Sequence, residues 1–144
     1  MIKNVRHTGI VVFDLKKMTK FYKSLGFKEF STEIESGEFI EQVVNIPNVE
    51  LEWVKMKSPD GFLLELIKYH SHQMPLGLGV SKSNELGCSH LAYTVHDINI
   101  SCKKIILGGG SIKNDPVISP NGKVKVAYCH DPEGVLIELV EELT

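Results

Sequence analysis

The chain predicts an α+β fold made of two like halves, and three features of its 144 residues carry that expectation. The first is a repeated phrase, Pro59-Asp60-Gly61-Phe62-Leu63-Leu64-Glu65-Leu66 and Pro132-Glu133-Gly134-Val135-Leu136-Ile137-Glu138-Leu139, offset by 138 − 65 = 73 positions. The second lies upstream: His7-Thr8-Gly9-Ile10-Val11-Val12 with Asp14 matches His90-Leu91-Ala92-Tyr93-Thr94-Val95 with Asp97, offset by 90 − 7 = 83. The third is the order of hydrophobic periods, helical after each of these aspartates and strand-like elsewhere. A long internal repeat means two similar units of one architecture.

In the first half, Val5 to Val12 reads as a strand. Asp14 caps a helix in which Leu15, Met18, Tyr22 and Leu25 recur at helical spacing, and Gly26 stops it. Phe27 to Ile34 is extended. Ser36 is placed as the cap of a short helix carrying Phe39, Ile40, Val43 and Val44, closed by Pro47. Val49, Leu51 and Trp53 alternate with Glu50 and Glu52, which gives a strand two different faces. Ser58-Pro59-Asp60-Gly61 is a tight turn, so Phe62 to Tyr69 returns antiparallel.

The second half repeats that order. Cys88 to His96 is a strand, and Asp97 caps a helix with Ile98, Cys102 and Ile105 on one face. Gly108-Gly109-Gly110 ends the helix, and no Lys-Ser/Thr follows to make it a phosphate loop. A further strand falls near Asp115–Pro120. Lys123 to His130 and Gly134 to Glu141 form a hairpin about Asp131-Pro132-Glu133-Gly134. Residues 1–144 form one domain in this reading, with modules at about 1–70 and 87–144 and a connection at about 71–86. Each half has a curved sheet covered by a helix, and the two sheets together can enclose a cleft.

Composition narrows the function. A net charge of −2 with interspersed signs, and no basic stripe, argues against a nucleic-acid or anionic-membrane partner. The three cysteines, Cys88, Cys102 and Cys129, are odd in number and contain no C-x-x-C pair. Reduced thiols in a cytoplasmic protein are the expectation. No apolar leader and no run of membrane-spanning length is present.

The chemistry rests on His7, Glu65, His90 and Glu138. Each glutamate stands amid apolar strand neighbours, where an unpaired carboxylate would cost several kcal/mol. A glutamate facing water on a one-sided sheet is the bland alternative. Drift after a duplication readily keeps glycines, prolines and caps, but has less reason to keep a histidine and a glutamate at matched places. Two imidazoles and two carboxylates make a mixed shell acceptable to Zn, Ni, Co, Mn or Fe, with positions left for adjacent substrate oxygens. His70 and His72, in the connection, are read as solvated, the alternative being a second metal pair, and His96 and His130, flanking strand ends, are read as surface residues. Glu50 and Glu52 are read as solvent-facing, the alternative being a second acid/base group in the cleft.

These motifs, with Phe21-Tyr22-x-x-Leu25-Gly26-Phe27, resemble the vicinal oxygen chelate superfamily, the glyoxalase, bleomycin-resistance and extradiol dioxygenase group. The resemblance spans nearly the whole chain. It implies paired βαβββ modules forming an incomplete barrel around a divalent metal held by His7, Glu65, His90 and Glu138. Binding-only members lack the ligands, and extradiol dioxygenases use two His and one Glu without the Glu65 position. The full set therefore favours the redox-neutral branch of glyoxalase I and the methylmalonyl-CoA epimerases, in which the metal polarises a carbonyl and stabilises an enediolate. The epimerases commonly carry Gln at the place of Glu65.

The implied activity is a lyase or isomerase on a small-molecule substrate, with Glu138 loosening from the metal to carry the proton. An iron-dependent extradiol dioxygenase and a non-catalytic binder are the alternatives. Bacterial glyoxalases place glutathione-holding Arg and Asn where this chain has Val11 and Tyr69, which argues for a different substrate handle. A homodimer is compatible with the resemblance, and the modules can pair within one chain or across two.

Overall fold

The computed structural model describes residues 1–75 and 80–143, and the chain divides into two compact units, Met1–Leu76 and Gly77–Thr144. In the first unit, β1 (Thr8–Val11) leads to α1 (Leu15–Ser24), β2 (Lys28–Ser36), α2 (Glu38–Val44), β3 (Glu50–Lys57) and β4 (Leu63–Tyr69). The sheet is open, in the order β1-β4-β3-β2, with β1 parallel to β4 and the other pairs antiparallel. The Asp14 cap is present: its Oδ1 accepts the Lys17 N–H at 2.9 Å, satisfying a donor of the first turn. Met18, Phe21 and Tyr22 of α1 are buried, as are Val54, Met56, Leu64 and Leu66 of the sheet. Fully burying a side chain of this size stabilises the fold by about 1.5–3 kcal/mol. Tyr22 makes edge-on contacts with Phe21 and Phe27 at 5.1 and 5.8 Å between ring centres.

The short helix α2 forms where its period places it, with one correction at its start. Ser36 remains the last residue of β2, and Gly37 occupies the cap position without a side-chain hydrogen bond. Ile40 packs with Val49 and Leu51, against Trp53, Ile67 and Tyr69. The first strand also begins later than expected, at Thr8, because the preceding residues gain no ladder partner.

The second unit contains β5 (Leu91–Thr94), α3 (Ile98–Leu107), β6 (Ser111–Ile112), β7 (Val117–Ile118), β8 (Val124–His130) and β9 (Leu136–Glu142). Its open sheet runs β5-β9-β8-β6, with β7 also paired to β8. Asp97 repeats the cap, accepting the Ile100 N–H at 2.8 Å. Ile98, Cys102 and Ile105 are buried along α3, and Ala127, Cys129, Ile137 and Leu139 are buried in the sheet. The expected strand near Asp115–Pro120 is instead the two-residue β7, and β6 was not anticipated; both lie against β8. The repeated turn is explained by backbone geometry: Gly61 and Gly134 have φ of 94° and 92°, a region that side chains strain to enter.

Candidate metal centre

Strand alternation delivers one carboxylate per unit to the face away from the long helix. In β4, Leu64 and Leu66 are fully buried, so Glu65 and Ile67 take the opposite face. Gly9 of β1 pairs with Glu65, and His7, two residues earlier, reaches the same face. His7 Nε2 lies 2.7 Å from Glu65 Oε2. A Cβ on Gly9 would meet Ile67 Cδ1 at 3.3 Å, so a glycine there keeps this face open. The second unit repeats the construction: Ala92 pairs with Glu138, and His90, two residues earlier, places Nε2 3.0 Å from Glu138 Oε2.

Each unit thus brings together its own predicted pair. Among the described residues, no three His, Cys, Asp or Glu side chains are gathered closely enough to hold a metal ion, so the structure brings together the two pairs and not all four residues. The donor chemistry fits a divalent ion. An imidazole nitrogen and a carboxylate oxygen, each about 2.1 Å from an ion and roughly at right angles, stand about 3 Å apart. Separations of 2.7 and 3.0 Å allow either a proton or such an ion to be shared. His7 Nδ1 is buried with no hydrogen-bond partner among the described residues. His90 Nδ1 lies 3.0 Å from Ser89 Oγ, which donates to the Ser83 carbonyl at 2.9 Å.

Three neighbours of these pairs escaped the sequence reading. Lys55 stands opposite Glu65 across β3 and β4, its Nζ 3.8 Å from Oε1 and 4.2 Å from the centre of the Trp53 ring. Tyr128 stands opposite Glu138 across β8 and β9, and its ring meets His90 edge-on at 5.2 Å. The offset of 128 − 55 = 73 makes Lys55 and Tyr128 equivalents, which the repeat alone could have revealed. Ser89 is the third, lying in the loop before β5.

The remaining candidates fall elsewhere. Glu52 is on the opposite face of β3 from Trp53, beside a cleft of about 560 Å³ that α1 borders, and pairs with His70 at 2.8 Å. It is partly exposed to solvent, as expected, and it is not an acid/base group on the face of Glu65. His72 is exposed and contacts Ser71 Oγ at 3.0 Å rather than joining His70. His130, expected at the surface, is buried, with Nε2 bonded to the Ser81 carbonyl at 2.8 Å, because the loop before β5 folds over it. His96 is exposed as expected.

The two buried thiols supply no nucleophile here. Burial, helped by Cys102 and Asp131, pushes Cys129 up to about 12, and burial also raises Cys102. Burial beside Asp131 likewise raises the Tyr93 phenol.

This fold, with a His/Glu pair at the same place in both units, defines a class. Residues 4–139 match the model of the Glyoxalase/Bleomycin resistance protein/Dioxygenase superfamily, and the chain belongs to that family. Among its relatives, a probable lactoylglutathione lyase of Synechocystis is 30% identical over 138 residues, covering 94% of this chain and 92% of that protein. Lactoylglutathione lyase of Escherichia coli O157:H7 is 28% identical over 142 residues, covering 94% and 90%. A glyoxalase family protein from Bacillus cereus has the same fold, with a TM-score of 0.91 at 23% identity over 100% of this chain and 97% of that one. Among the described residues, no helix is long and apolar enough to cross a membrane.

Proposed function

We propose that this chain is a metal-dependent lyase or isomerase of the glyoxalase type, moving a proton at a carbon beside a substrate carbonyl. The observation that carries the proposal is the doubled pairing of His7 with Glu65 and His90 with Glu138 at 2.7 and 3.0 Å. The relatives named lactoylglutathione lyase support the same class. A glutamate in each half favours redox-neutral chemistry, since the dioxygenase pattern leaves the Glu65 position out of its ligand set.

His7, Glu65, His90 and Glu138 would hold a divalent ion such as Zn, Ni, Co or Mn, which supplies Lewis-acid polarisation of the substrate oxygen. The two carboxylates have different surroundings. Glu65 has a side chain 12% exposed, with one oxygen toward His7 and the other toward Lys55, and it acts as a stationary ligand. Glu138 is twice as exposed, at 24%, and no lysine or arginine among the described residues forms an ion pair with it. Glu138 is therefore the base that takes the proton from the carbon beside the carbonyl and returns it to the neighbouring carbon. A positioned acid/base group of this kind contributes typically about 10²–10⁴-fold.

Proton exchange tests the reaction class. In deuterated water, an α-hydroxy or α-thio carbonyl compound should exchange its acidic C–H with the metal-loaded protein and stop exchanging on chelation. Strict O₂ dependence with ring cleavage of catechols would instead make the chain a dioxygenase. Tight ligand binding indifferent to metal, without exchange, would make it a binder.

A further inference from the structure

Proton bookkeeping around His90 separates the two halves of the proposed centre. The Ser83 carbonyl has no proton to give, so the 2.9 Å bond to it uses the single O–H of Ser89. Ser89 Oγ can then only accept, and its partner 3.0 Å away, His90 Nδ1, must donate. A neutral His90 is thereby fixed as the Nδ1–H tautomer, with its lone pair on Nε2, the nitrogen 3.0 Å from Glu138 Oε2. Two electron-rich atoms at that distance repel unless a proton or a metal cation is shared between them. The edge-on Tyr128 ring supports the same orientation from another side. Among the described residues His7 has no such support, its Nδ1 being buried without a partner there.

We propose that Ser89 is a positioning residue: held by the Ser83 carbonyl, it locks His90 so that Nε2, and not Nδ1, is presented to the divalent ion. The inference rests on the metal-centre reading above. Partners behind a ligating histidine fix its tautomer and orientation, and their loss typically costs about 10–100-fold in metal affinity. Among the described residues, Ser89 is such a partner for one half of the centre only. Lys55 is the corresponding asymmetry in the other half, where the support falls on the carboxylate.

The test is Zn²⁺ affinity, measured by competition with a chelating dye on the untagged, metal-stripped protein, together with long-range ¹H–¹⁵N spectra of the Zn-loaded form. Ser89→Ala should bind Zn²⁺ about 10–100-fold more weakly, and Ser89→Thr, which keeps the hydroxyl, should restore wild-type binding. The wild-type spectrum should show His90 metallated at Nε2 and protonated at Nδ1. Wild-type affinity in Ser89→Ala, equal loss in Ser89→Ala and Ser89→Thr, or metal on His90 Nδ1 would each overturn the role of Ser89. Wild-type affinity in His90→Ala would instead overturn the metal-centre reading beneath it.

Discussion

Val11 and Tyr69 bear on the substrate one side chain at a time. Val11 pairs in register with Ile67, two residues beyond Glu65, and its apolar side chain is 64% exposed. Tyr69 is partly buried against Ile40, Val49 and Leu51. Neither can ion-pair a glutathione carboxylate as an arginine does, and a lost charge-assisted bond costs about 1.5–3 kcal/mol. Weak turnover of the glutathione–methylglyoxal hemithioacetal is therefore expected, with better turnover of another thiol adduct, an acyl-CoA or a small 2-oxo compound. Steady-state kinetics on that panel decide it; a hemithioacetal kcat/KM near the diffusional ceiling of about 10⁸ M⁻¹s⁻¹ would show that other residues hold glutathione. At this scale the sequence was readable where chemistry and repetition coincide, at His7 with Glu65 and His90 with Glu138. Lys55 and Tyr128 were not recognised because alternation gives a side chain's face but not its partner across the strand. Ser89 could not be read because a loop hydroxyl has no periodicity.

The helices carried the clearest signals among the elements. Aspartate caps and apolar spacing located α1 and α3, and both caps bond as their chemistry demands. The two-residue strands β6 and β7 were hidden for the opposite reason, being too short to show an alternation and defined only by their partner β8. β8 also supplies a pH-dependent term. Cys129 is buried in it, and its thiol is raised to about 12 from an ordinary value of 9.0. Below pH 9 both folded and unfolded chains keep this proton, and its contribution is constant. Between about 9 and 12 the unfolded chain loses the proton while the folded one keeps it, so stability falls as pH rises, by at most about 1.4 kcal/mol per unit. Cys129→Ala should flatten the fall of the urea midpoint over pH 9–11, whatever its effect at pH 7. An unchanged alkaline slope would remove Cys129 as its source.

For the whole molecule, the duplication is the main source of information. It supplied the α+β class, the two modules and the recurring His/Glu pair. It was imperfect where the halves diverged: among the described residues α2 has no counterpart in the second unit, and β2, nine residues long, corresponds there only to short strands. The central claim is that the two pairs serve one divalent ion. Metal analysis of the untagged protein tests it most directly, comparing wild type with His7→Ala, His90→Ala, Glu138→Gln and, as a control outside the centre, His70→Ala. The wild type and His70→Ala should carry about one divalent ion per chain, and the other variants should lose most of it. Chelation should also lower the melting temperature of the wild type, since free metal at ~100 times Kd stabilises the folded state by about 2.7 kcal/mol. Wild-type metal content in both His7→Ala and His90→Ala would contradict the account.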